Sequence, residues 1–249
     1  MTDVEVAAAA ARAAAAVLTR LRAEGRLTGR ELGDAGDAGA QAAIAGVLAE
    51  QRPDDAVFSE EAVDDRRRLN TDRVWIVDPL DGTREYGETP RPDWAVHVAL
   101  WAAGELTAAA VALPALGAVL VTDPAPVVPA PGDGRPRIAV SRSRPPEIAA
   151  TAAAALDAEL VPMGSAGWKV TAVVRGEADA YVHAGGMYQW DSAAPVAVAR
   201  AAGLTAVRLD GSPLVYNGPD AWLPDLLVCR PELADPLLAA VRPGSPPTA

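Results

Sequence analysis

The residues best suited to chemistry follow one short apolar run. The run Val74 to Val77 leads directly into Asp78-Pro79-Leu80-Asp81-Gly82-Thr83. Proline fixes its own φ angle and forces a turn, so Asp78 and Asp81 can converge on one side of it. Two neighbouring carboxylates repel each other unless a cation lies between them, and oxygen ligands of this kind suit Mg²⁺. The turn is therefore a candidate magnesium site, and an ordinary surface turn is the alternative because every residue type in it is a common turn former.

An anion-binding element and two further acidic segments accompany this turn. Gly82 allows the backbone to approach an anion, and the amides of Gly82 and Thr83 at the start of a helical turn are suited to phosphate. Upstream, Glu60 and Glu61 end a short apolar run, and far downstream Asp191 begins a predicted helix. The simpler interpretations of these two segments are a solvated acidic loop and a helix N-cap.

Composition excludes several classes of function and of site. A net charge of −11 repels nucleic-acid polymers and anionic membranes, whereas a small phosphorylated substrate stays compatible because divalent cations bridge carboxylates to phosphate. The single cysteine, Cys229, excludes an internal disulfide and a cysteine-based zinc cluster. His97 and His183 are interpreted as structural strand residues. The sequence has no apolar run of membrane-spanning length and an acidic beginning, so a cytoplasmic protein is expected.

The pattern of elements indicates an α/β protein. The alanine-rich stretch 4–24 has high helix propensity, and a second helix is predicted over 38–50. The first group of predicted strands, in a mostly antiparallel sheet, lies at 56–59, 73–77, 94–102, 106–113 and 117–122. Beyond the proline-rich segment 123–136 the pattern alternates, with strands at 137–141, 159–163, 179–183 and near 226–229 and helices at 146–158, 166–175 and 190–202.

This change of pattern predicts two halves. The N-terminal half, 1–133, combines α and β elements and carries most of the metal-binding strings. The C-terminal half, 134–249, is an α/β layer with the substrate-binding elements and the last metal ligand. Its tail, 242–249, is rich in Pro, Gly and Ser and is predicted to be frayed.

Three strings together resemble the inositol monophosphatase superfamily of Mg²⁺-dependent, lithium-sensitive phosphatases. They are Ser59-Glu60-Glu61, the string from Trp75 to Thr83, and Trp190-Asp191-Ser192-Ala193-Ala194. Their order and spacing match that family over nearly the whole chain, and the central string is highly specific. The resemblance implies an α-β-α-β-α sandwich of helix and sheet layers, and hydrolysis of a phosphoric monoester with two or three Mg²⁺ ions.

Carried over by position, the resemblance implies a role for each acid. The implied metal ligands are Glu60, Asp78, the carbonyl of Leu80, Asp81 and Asp191. Gly82 and Thr83 would hold phosphate, while Thr83, Asp37 and Glu61 would be catalytic and activate a water for in-line attack on phosphorus. Asp37 is placed in a loop before the second helix, and Asp34 is a less favoured substitute for it.

Further strings resemble the 3′(2′),5′-bisphosphate nucleotidase, CysQ-like branch of that superfamily. After Thr83 this branch favours a charged residue and glutamate, as in Arg84-Glu85. The guanidinium groups of Arg142 and Arg144 would suit a second phosphate through forked contacts, although exposed arginines are usually only solvated. The free backbone amides at the start of the helix that opens in segment 164–169 would also suit an anion. The candidate substrate-binding residues are Gly82, Thr83, Arg84, Ser141, Arg142, Arg144, Gly164, Ser165, Lys169 and Asp191.

The branch resemblance implies a role in sulfur assimilation, in which adenosine 3′,5′-bisphosphate is hydrolysed to AMP and phosphate. Its phosphosulfate analogue is a second candidate substrate. Inositol-1-phosphatase and fructose-1,6-bisphosphatase activities remain alternatives within the superfamily. A catalytically silent, Mg²⁺-dependent nucleotide-binding protein is the alternative from another class. Lithium is expected to compete at the weaker magnesium position, and a homodimer remains open because the superfamily contains both monomers and dimers.

Overall fold

Two five-stranded sheets form the frame of the protein, one on each side of the proline-rich segment 123–136. The computed structural model describes residues 1–241, so the predicted frayed tail 242–249 lies outside the described residues. No helix within residues 1–241 is long and apolar enough to cross a bilayer.

The first sheet confirms the first group of predicted strands. Its strands are β1 (Ala56–Ser59), β2 (Arg73–Asp81), β3 (Ala95–Ala102), β4 (Glu105–Leu113) and β5 (Ala118–Val121), side by side in chain order. Strand β1 pairs with β2 in parallel, and the other pairs are antiparallel. Strand β2 continues four residues beyond its predicted end, so the whole Asp-Pro-Leu-Asp turn forms the C-terminal end of this strand.

The second sheet confirms the predicted alternation and adds one strand. It consists of β6 (Arg137–Ser141), β7 (Glu159–Met163), β8 (Ala180–Tyr188), β9 (Thr205–Val207) and β10 (Trp222–Cys229), in the order β7-β6-β8-β10-β9. Strands β7, β6 and β8 are mutually parallel, whereas β10 is antiparallel to β8 and β9. The sequence did not predict β9, whose three residues are too few to show a period.

Seven α-helices cover these sheets within the described residues. They are α1 (Asp3–Glu24), α2 (Gly29–Gln51), α3 (Thr83–Gly87), α4 (Glu147–Leu156), α5 (Ala166–Val174), α6 (Gln189–Ala201) and α7 (Pro231–Val241). The short helix α3 confirms the helical turn predicted at Gly82 and Thr83, whereas the C-terminal helix α7 was not predicted. Helix α7 contains Pro236 within its span, which hid its helical pattern.

The layers stack as helix, sheet, helix, sheet, helix. Helices α1 and α2 pack on one face of the first sheet, and α4 and α7 cover the outer face of the second sheet. Helices α5 and α6 lie between the sheets. Successive residues of β2 point to opposite faces of the sheet. Trp75 belongs to the hydrophobic cluster under α1 and α2, whereas Ile76 belongs to the cluster between the two sheets. The predicted sandwich is confirmed. The division into two halves at residue 133 stays a prediction, because the hydrophobic cluster between the sheets contains residues of both halves.

Helix α2 differs from its prediction in a way that bears on Asp37. It begins at Gly29 rather than at 38, so Asp37 lies on a helix and not in a preceding loop. The glycines that suggested a loop allow close packing instead. An added Cβ at Gly33 would lie 2.7 Å from the methyl carbon of Thr83, and one at Gly36 would lie 2.7 Å from the Tyr86 ring. Tertiary contact overrides the low helix propensity of these glycines.

A pair of glycine substitutions in α2 tests this explanation. Gly36→Ala is expected to lower the free energy of unfolding by about 1–2 kcal/mol because the new methyl group overlaps Tyr86, Leu18 and Leu80. Gly46→Ala on the same helix meets nothing within 4 Å and is expected to stabilise by up to about 1 kcal/mol. Urea unfolding followed by circular dichroism measures both. Equal effects of the two substitutions would contradict the packing explanation.

Candidate active site

Parallel pairing of β1 with β2 brings the first two acidic segments to one edge of the sheet. Ser59 lies opposite Val77 in the register. The next residues of the two strands, Glu60 and Asp78, are therefore neighbours. The Glu60 amide donates to the Val77 carbonyl at 3.3 Å. The Glu60 and Asp78 carboxyl groups interact electrostatically. Segments that are unrelated in sequence pattern therefore meet because β1 ends opposite Val77, the residue before Asp78.

An irregularity in β2 shapes the Asp-Pro-Leu-Asp corner. The pairing register of β2 with β3 shifts between Asp78 and Asp81, as expected where a proline cannot donate to the ladder. The buried Asp78 carboxylate accepts a hydrogen bond from the Leu80 amide at 3.0 Å. The Leu80 carbonyl accepts one from the Thr83 hydroxyl at 3.1 Å. The corner thus presents two carboxylates and a carbonyl, all of them oxygen ligands.

The Asp81 carboxylate points at the first turn of α5. One of its oxygens accepts from the Ser165 hydroxyl at 2.5 Å and from the Gly167 amide at 2.6 Å, and the other accepts from the Ala166 amide at 3.1 Å. A carboxylate at a helix N-terminus is stabilised by these free amides and by the helix dipole. The expectation that these amides are free for a substrate anion is therefore wrong for Ala166 and Gly167.

Asp191 combines the two interpretations given to it. It lies in the first turn of α6, where its carboxylate accepts the Tyr188 amide at 2.7 Å, as a capping acid does. It also interacts electrostatically with Asp78 and Asp81. The capping bond fixes the start of the helix without removing Asp191 from the acidic corner.

Burial and mutual repulsion raise the pKa values of these acids. Burial, followed by the charge of Asp81, raises the pKa of Glu60 to about 7 and that of Asp191 to about 8. The pKa of Asp78 lies well above its usual range, first through burial and then through the charges of Glu60, Asp81 and Asp191. Such a corner attracts a cation, because a positive charge offsets both the repulsion and the desolvation.

The donor set fits Mg²⁺ in its chemistry, since it consists of oxygen atoms with an excess of negative charge. The side chains of these acids do not all point towards one common position. Within residues 1–241, no three His, Cys, Asp or Glu side chains converge closely enough to hold one ion. Carboxylates with no cation between them repel one another, so binding would require these side chains to turn towards a common ion. The ligand set Glu60, Asp78, Leu80, Asp81 and Asp191 remains a prediction.

Asp37, and not Asp34, faces Thr83. The Thr83 hydroxyl lies 3.4 Å from an Asp37 carboxylate oxygen, whereas Asp34 is exposed and lies 3.7 Å from Arg30 in an ion pair. Burial, followed by the charges of Glu61 and Glu60, raises the pKa of Asp37 to about 7. Glu61 itself is exposed beside this group.

A cleft of about 250 Å³ opens beside the acidic corner. The predicted substrate-binding residues that line it are Gly82, Ser141, Arg142, Arg144, Gly164, Ser165, Lys169 and Asp191. Thr83 and Arg84 instead line a neighbouring pocket with Asp34. Arg84 is largely exposed and pairs with Glu88 at 2.8 Å. Most of the predicted contact residues therefore share one cavity, and Arg84 points away from it.

The cations of this cleft differ in how far the protein already neutralises them. Arg142 pairs with Glu85 at 2.6 Å and with Glu88 at 2.7 Å. The buried Lys169 donates to the carbonyls of Gly164 and Ser165, and burial lowers its pKa to about 8. Arg144 is exposed and has no acidic partner among residues 1–241. Arg144 and Lys169 are thus the cations of the cleft that form no ion pair with a carboxylate among residues 1–241.

Sequence reasoning missed two residues that shape the site. Asp93 accepts the Gly164 amide at 2.6 Å and pairs with Arg91, which anchors the turn before α5. His97, interpreted as an ordinary strand residue, is fully buried next to Asp78 and Asp81. The register of β2 with β3 places Asp78 opposite His97, so only knowledge of that pairing would have identified it.

Comparison with known proteins gives consistent matches along the chain. The model of the inositol monophosphatase family matches residues 1–243. A 3′-phosphoadenosine 5′-phosphate phosphatase of Mycobacterium leprae is 50% identical over 97% of this chain and 94% of its own length. The 3′(2′),5′-bisphosphate nucleotidase CysQ of Escherichia coli is 31% identical over 76% of this chain and 81% of its own. The crystal structure of CysQ from Bacteroides thetaiotaomicron, 25% identical, superposes with a TM-score of 0.78 over 92% of this chain and 97% of that one.

Replacement of one acid tests the predicted metal ligands. Asp81→Asn keeps an oxygen that can accept from α5 but removes the negative charge, so Mg²⁺ binding measured by calorimetry is expected to be lost. Asp54→Asn, at an exposed acid outside the corner, is the control and is expected to leave binding unchanged. Unaltered Mg²⁺ affinity in Asp81→Asn would remove Asp81 from the ligand set.

Proposed function

The chain belongs to the inositol monophosphatase family and is a phosphoric monoester hydrolase, and from that premise we propose that it removes the 3′-phosphate of adenosine 3′,5′-bisphosphate. The observation that carries this proposal is the Mycobacterium leprae relative, which is named for that substrate and shares half of its residues over nearly the whole chain. The family is generally Mg²⁺-dependent, and every acid of the predicted metal corner is present.

The scissile phosphate would lie between the acidic corner and the turn at Gly82. This glycine has a φ of +90°, a conformation that favours glycine, and an added Cβ would lie 3.1 Å from that of Ser165. The backbone can therefore come close to an anion at this point. Lys169 faces the same cleft from α5 and would add a positive charge.

Bound Mg²⁺, held by Glu60, Asp78, Asp81, Asp191 and the Leu80 carbonyl, would supply the positive charge that activates water and stabilises the leaving oxygen. The chain's own part in proton transfer centres on Asp37 and Thr83. The single hydrogen of the Thr83 hydroxyl has two acceptors within reach, the Leu80 carbonyl at 3.1 Å and Asp37 at 3.4 Å. Donated to Asp37, it would leave the hydroxyl oxygen with lone pairs for a water proton. A pKa of about 7 makes Asp37 suited to accept a proton near neutral pH.

The 5′-phosphate would be held mainly by Arg144. Arg142, the other predicted contact, is already compensated by two carboxylates, so it would have to leave Glu85 or Glu88 to bind phosphate. Arg142 instead holds the Ser141–Arg144 segment against α3. An inositol monophosphate offers no second anionic group to Arg144, which favours a bisphosphate as substrate.

A matched pair of substitutions tests the role of the Thr83 hydroxyl. Thr83→Val keeps the branched shape that packs on Gly33 but removes the hydroxyl, and kcat is expected to fall about 10²–10⁴-fold. Thr83→Ser keeps the hydroxyl and is expected to retain most of the activity. Steady-state kinetics at saturating Mg²⁺ measures both, with thermal unfolding as a check of folding. Similar kcat values for the two variants would exclude a catalytic hydroxyl.

A phosphate-release assay tests the substrate proposal. We expect kcat/KM for adenosine 3′,5′-bisphosphate to exceed that for adenosine 3′-monophosphate, inositol 1-phosphate and fructose 1,6-bisphosphate, because only the first presents a nucleoside with a second phosphate. Preference for either sugar phosphate would replace this proposal with the corresponding alternative. Nucleotide binding in calorimetry without phosphate release would favour the silent nucleotide-binding protein instead.

A further inference from the structure

A buried arginine lies outside the acidic corner, on the segment that follows Glu60 and Glu61. The side chain of Arg68 is 1% exposed, a degree of burial that an arginine reaches only when its charge is paired. Its Nη2 donates to the Asp64 carboxylate at 2.8 Å, and its Nε lies 3.1 Å from both oxygens of the same carboxylate. This ion pair anchors the loop that follows Glu61.

The other side of the same guanidinium binds the second half of the chain. Its Nη1 donates to the side-chain oxygen of Asn217 and to the carbonyl of Gly218, both at 2.9 Å. The side-chain amide of Asn217 donates in return to the Arg68 carbonyl at 3.2 Å. Arg68 thus joins the loop after β1 to the loop before β10.

The hydrogen bonds continue from Asn217 to the first residue of α6. The Asn217 main-chain amide donates to the side-chain oxygen of Gln189 at 2.6 Å, and the Gln189 side-chain amide donates to the Asp220 carbonyl at 2.6 Å. Gln189 is also buried and lies two residues before Asp191. A connected set of hydrogen bonds therefore runs from the segment after Glu60 to the start of the helix that carries Asp191.

A stack of side chains makes the same connection through β1. The central guanidinium carbon of Arg68 lies 3.8 Å from the centre of the Phe58 ring, which favours a cation–π contact. Phe58 in turn meets the Trp190 ring edge to face, with the ring centres 5.1 Å apart. Phe58 lies two residues before Glu60, and Trp190 directly precedes Asp191.

These contacts fix the main chain from which two predicted metal ligands extend, and not the carboxylates themselves. Glu60 and Asp191 can turn their side chains towards an ion without breaking the hydrogen bonds of Arg68, because none of those bonds involves either carboxylate. The separation of the two chain segments would, however, no longer be fixed if Arg68 lost its partners.

We propose that Arg68 is a positioning residue, which holds the segment after β1 against the start of α6 and thereby sets the affinity of the acidic corner for a divalent cation. The inference rests on the predicted metal ligands of the proposed function but not on the identity of the substrate. The forked guanidinium binds Asp64, Asn217 and Gly218 at once, which the single ammonium group of a lysine cannot do.

Two substitutions that conserve charge form a matched pair. Arg68→Lys keeps the positive charge but cannot bind both loops. Arg73→Lys is the control, because Arg73 also joins two carboxylates, those of Asp3 and Asp55, at the end of β2 opposite to the acidic corner. A third variant, Asn217→Gly, removes the side-chain partner of Arg68, and glycine tolerates the φ of +57° at this position.

Calorimetric titration of the substrate-free protein with Mg²⁺ is the measurement, and thermal unfolding without Mg²⁺ reports stability. We expect Arg68→Lys and Asn217→Gly each to weaken Mg²⁺ binding about 10-fold, as the loss of groups that support metal ligands commonly does. The double variant is expected to bind little more weakly than Arg68→Lys alone, because both changes break one network. Arg73→Lys is expected to lower the unfolding temperature but to keep Mg²⁺ affinity within about twofold.

Unchanged Mg²⁺ affinity in Arg68→Lys, or an equal loss in Arg73→Lys, would overturn the proposal and leave Arg68 with a role in stability alone. Fully additive losses in the double variant would also overturn it. If Arg68→Lys does not fold, the comparison of Asn217→Gly with Arg73→Lys decides in the same way. No Mg²⁺ binding by the unsubstituted protein would contradict the predicted metal ligands themselves. Preference for another substrate with the differences in Mg²⁺ affinity intact would count against the proposed substrate only.

Discussion

Mutual repulsion among closely placed acidic side chains, of which Asp78 and Asp81 are buried, is the constraint on which the arrangement of this site depends. The chain holds the acids together by fixing each of them from a different element. The pairing of β1 with β2 places Glu60, the turn at Pro79 places Asp78, the amides of α5 hold Asp81, and the start of α6 holds Asp191. Hydrogen bonds to backbone amides offset part of the cost of burial, and a divalent cation would offset the rest.

The local parts of this arrangement could be predicted from sequence. Apolar, β-branched runs gave the strands of the first sheet, and the proline after Asp78 gave the turn. That Glu60 and Asp191 approach this turn did not follow from any periodicity and depended on resemblance to a known family. In the structure the charges of Glu60 and Asp191 both act on Asp78, so the three segments share one electrostatic neighbourhood. Closure around an ion stays a prediction because it concerns side-chain orientation, which residue spacing does not determine.

Where prediction failed, a contact distant in sequence was the cause. The glycines of α2 indicated a loop, yet their missing side chains allow α2 to approach Thr83 and Tyr86. The pairing of Arg142, a predicted phosphate contact, with two carboxylates more than fifty residues earlier was not foreseen, and its contact with phosphate stays a prediction. His97 looked like one more strand residue, since its importance comes from a pairing register. In each case the missing information was which residue lies opposite, and sequence pattern gives no such partner.

The interactions that these amides and cations already make with carboxylates explain how so acidic a chain can act on a polyanion. The α5 amides are occupied by Asp81, and Arg142 is occupied by Glu85 and Glu88. Among the described residues that line the cleft, Lys169 and Arg144 are the cations that form no ion pair with a carboxylate, and they face four acids in the corner. A bisphosphate would meet net repulsion in that cleft unless divalent cations lay between the acids and its phosphate. Substrate affinity and metal affinity are therefore coupled by charge, and whatever orients the acids towards the cation also sets how well the cleft holds its substrate.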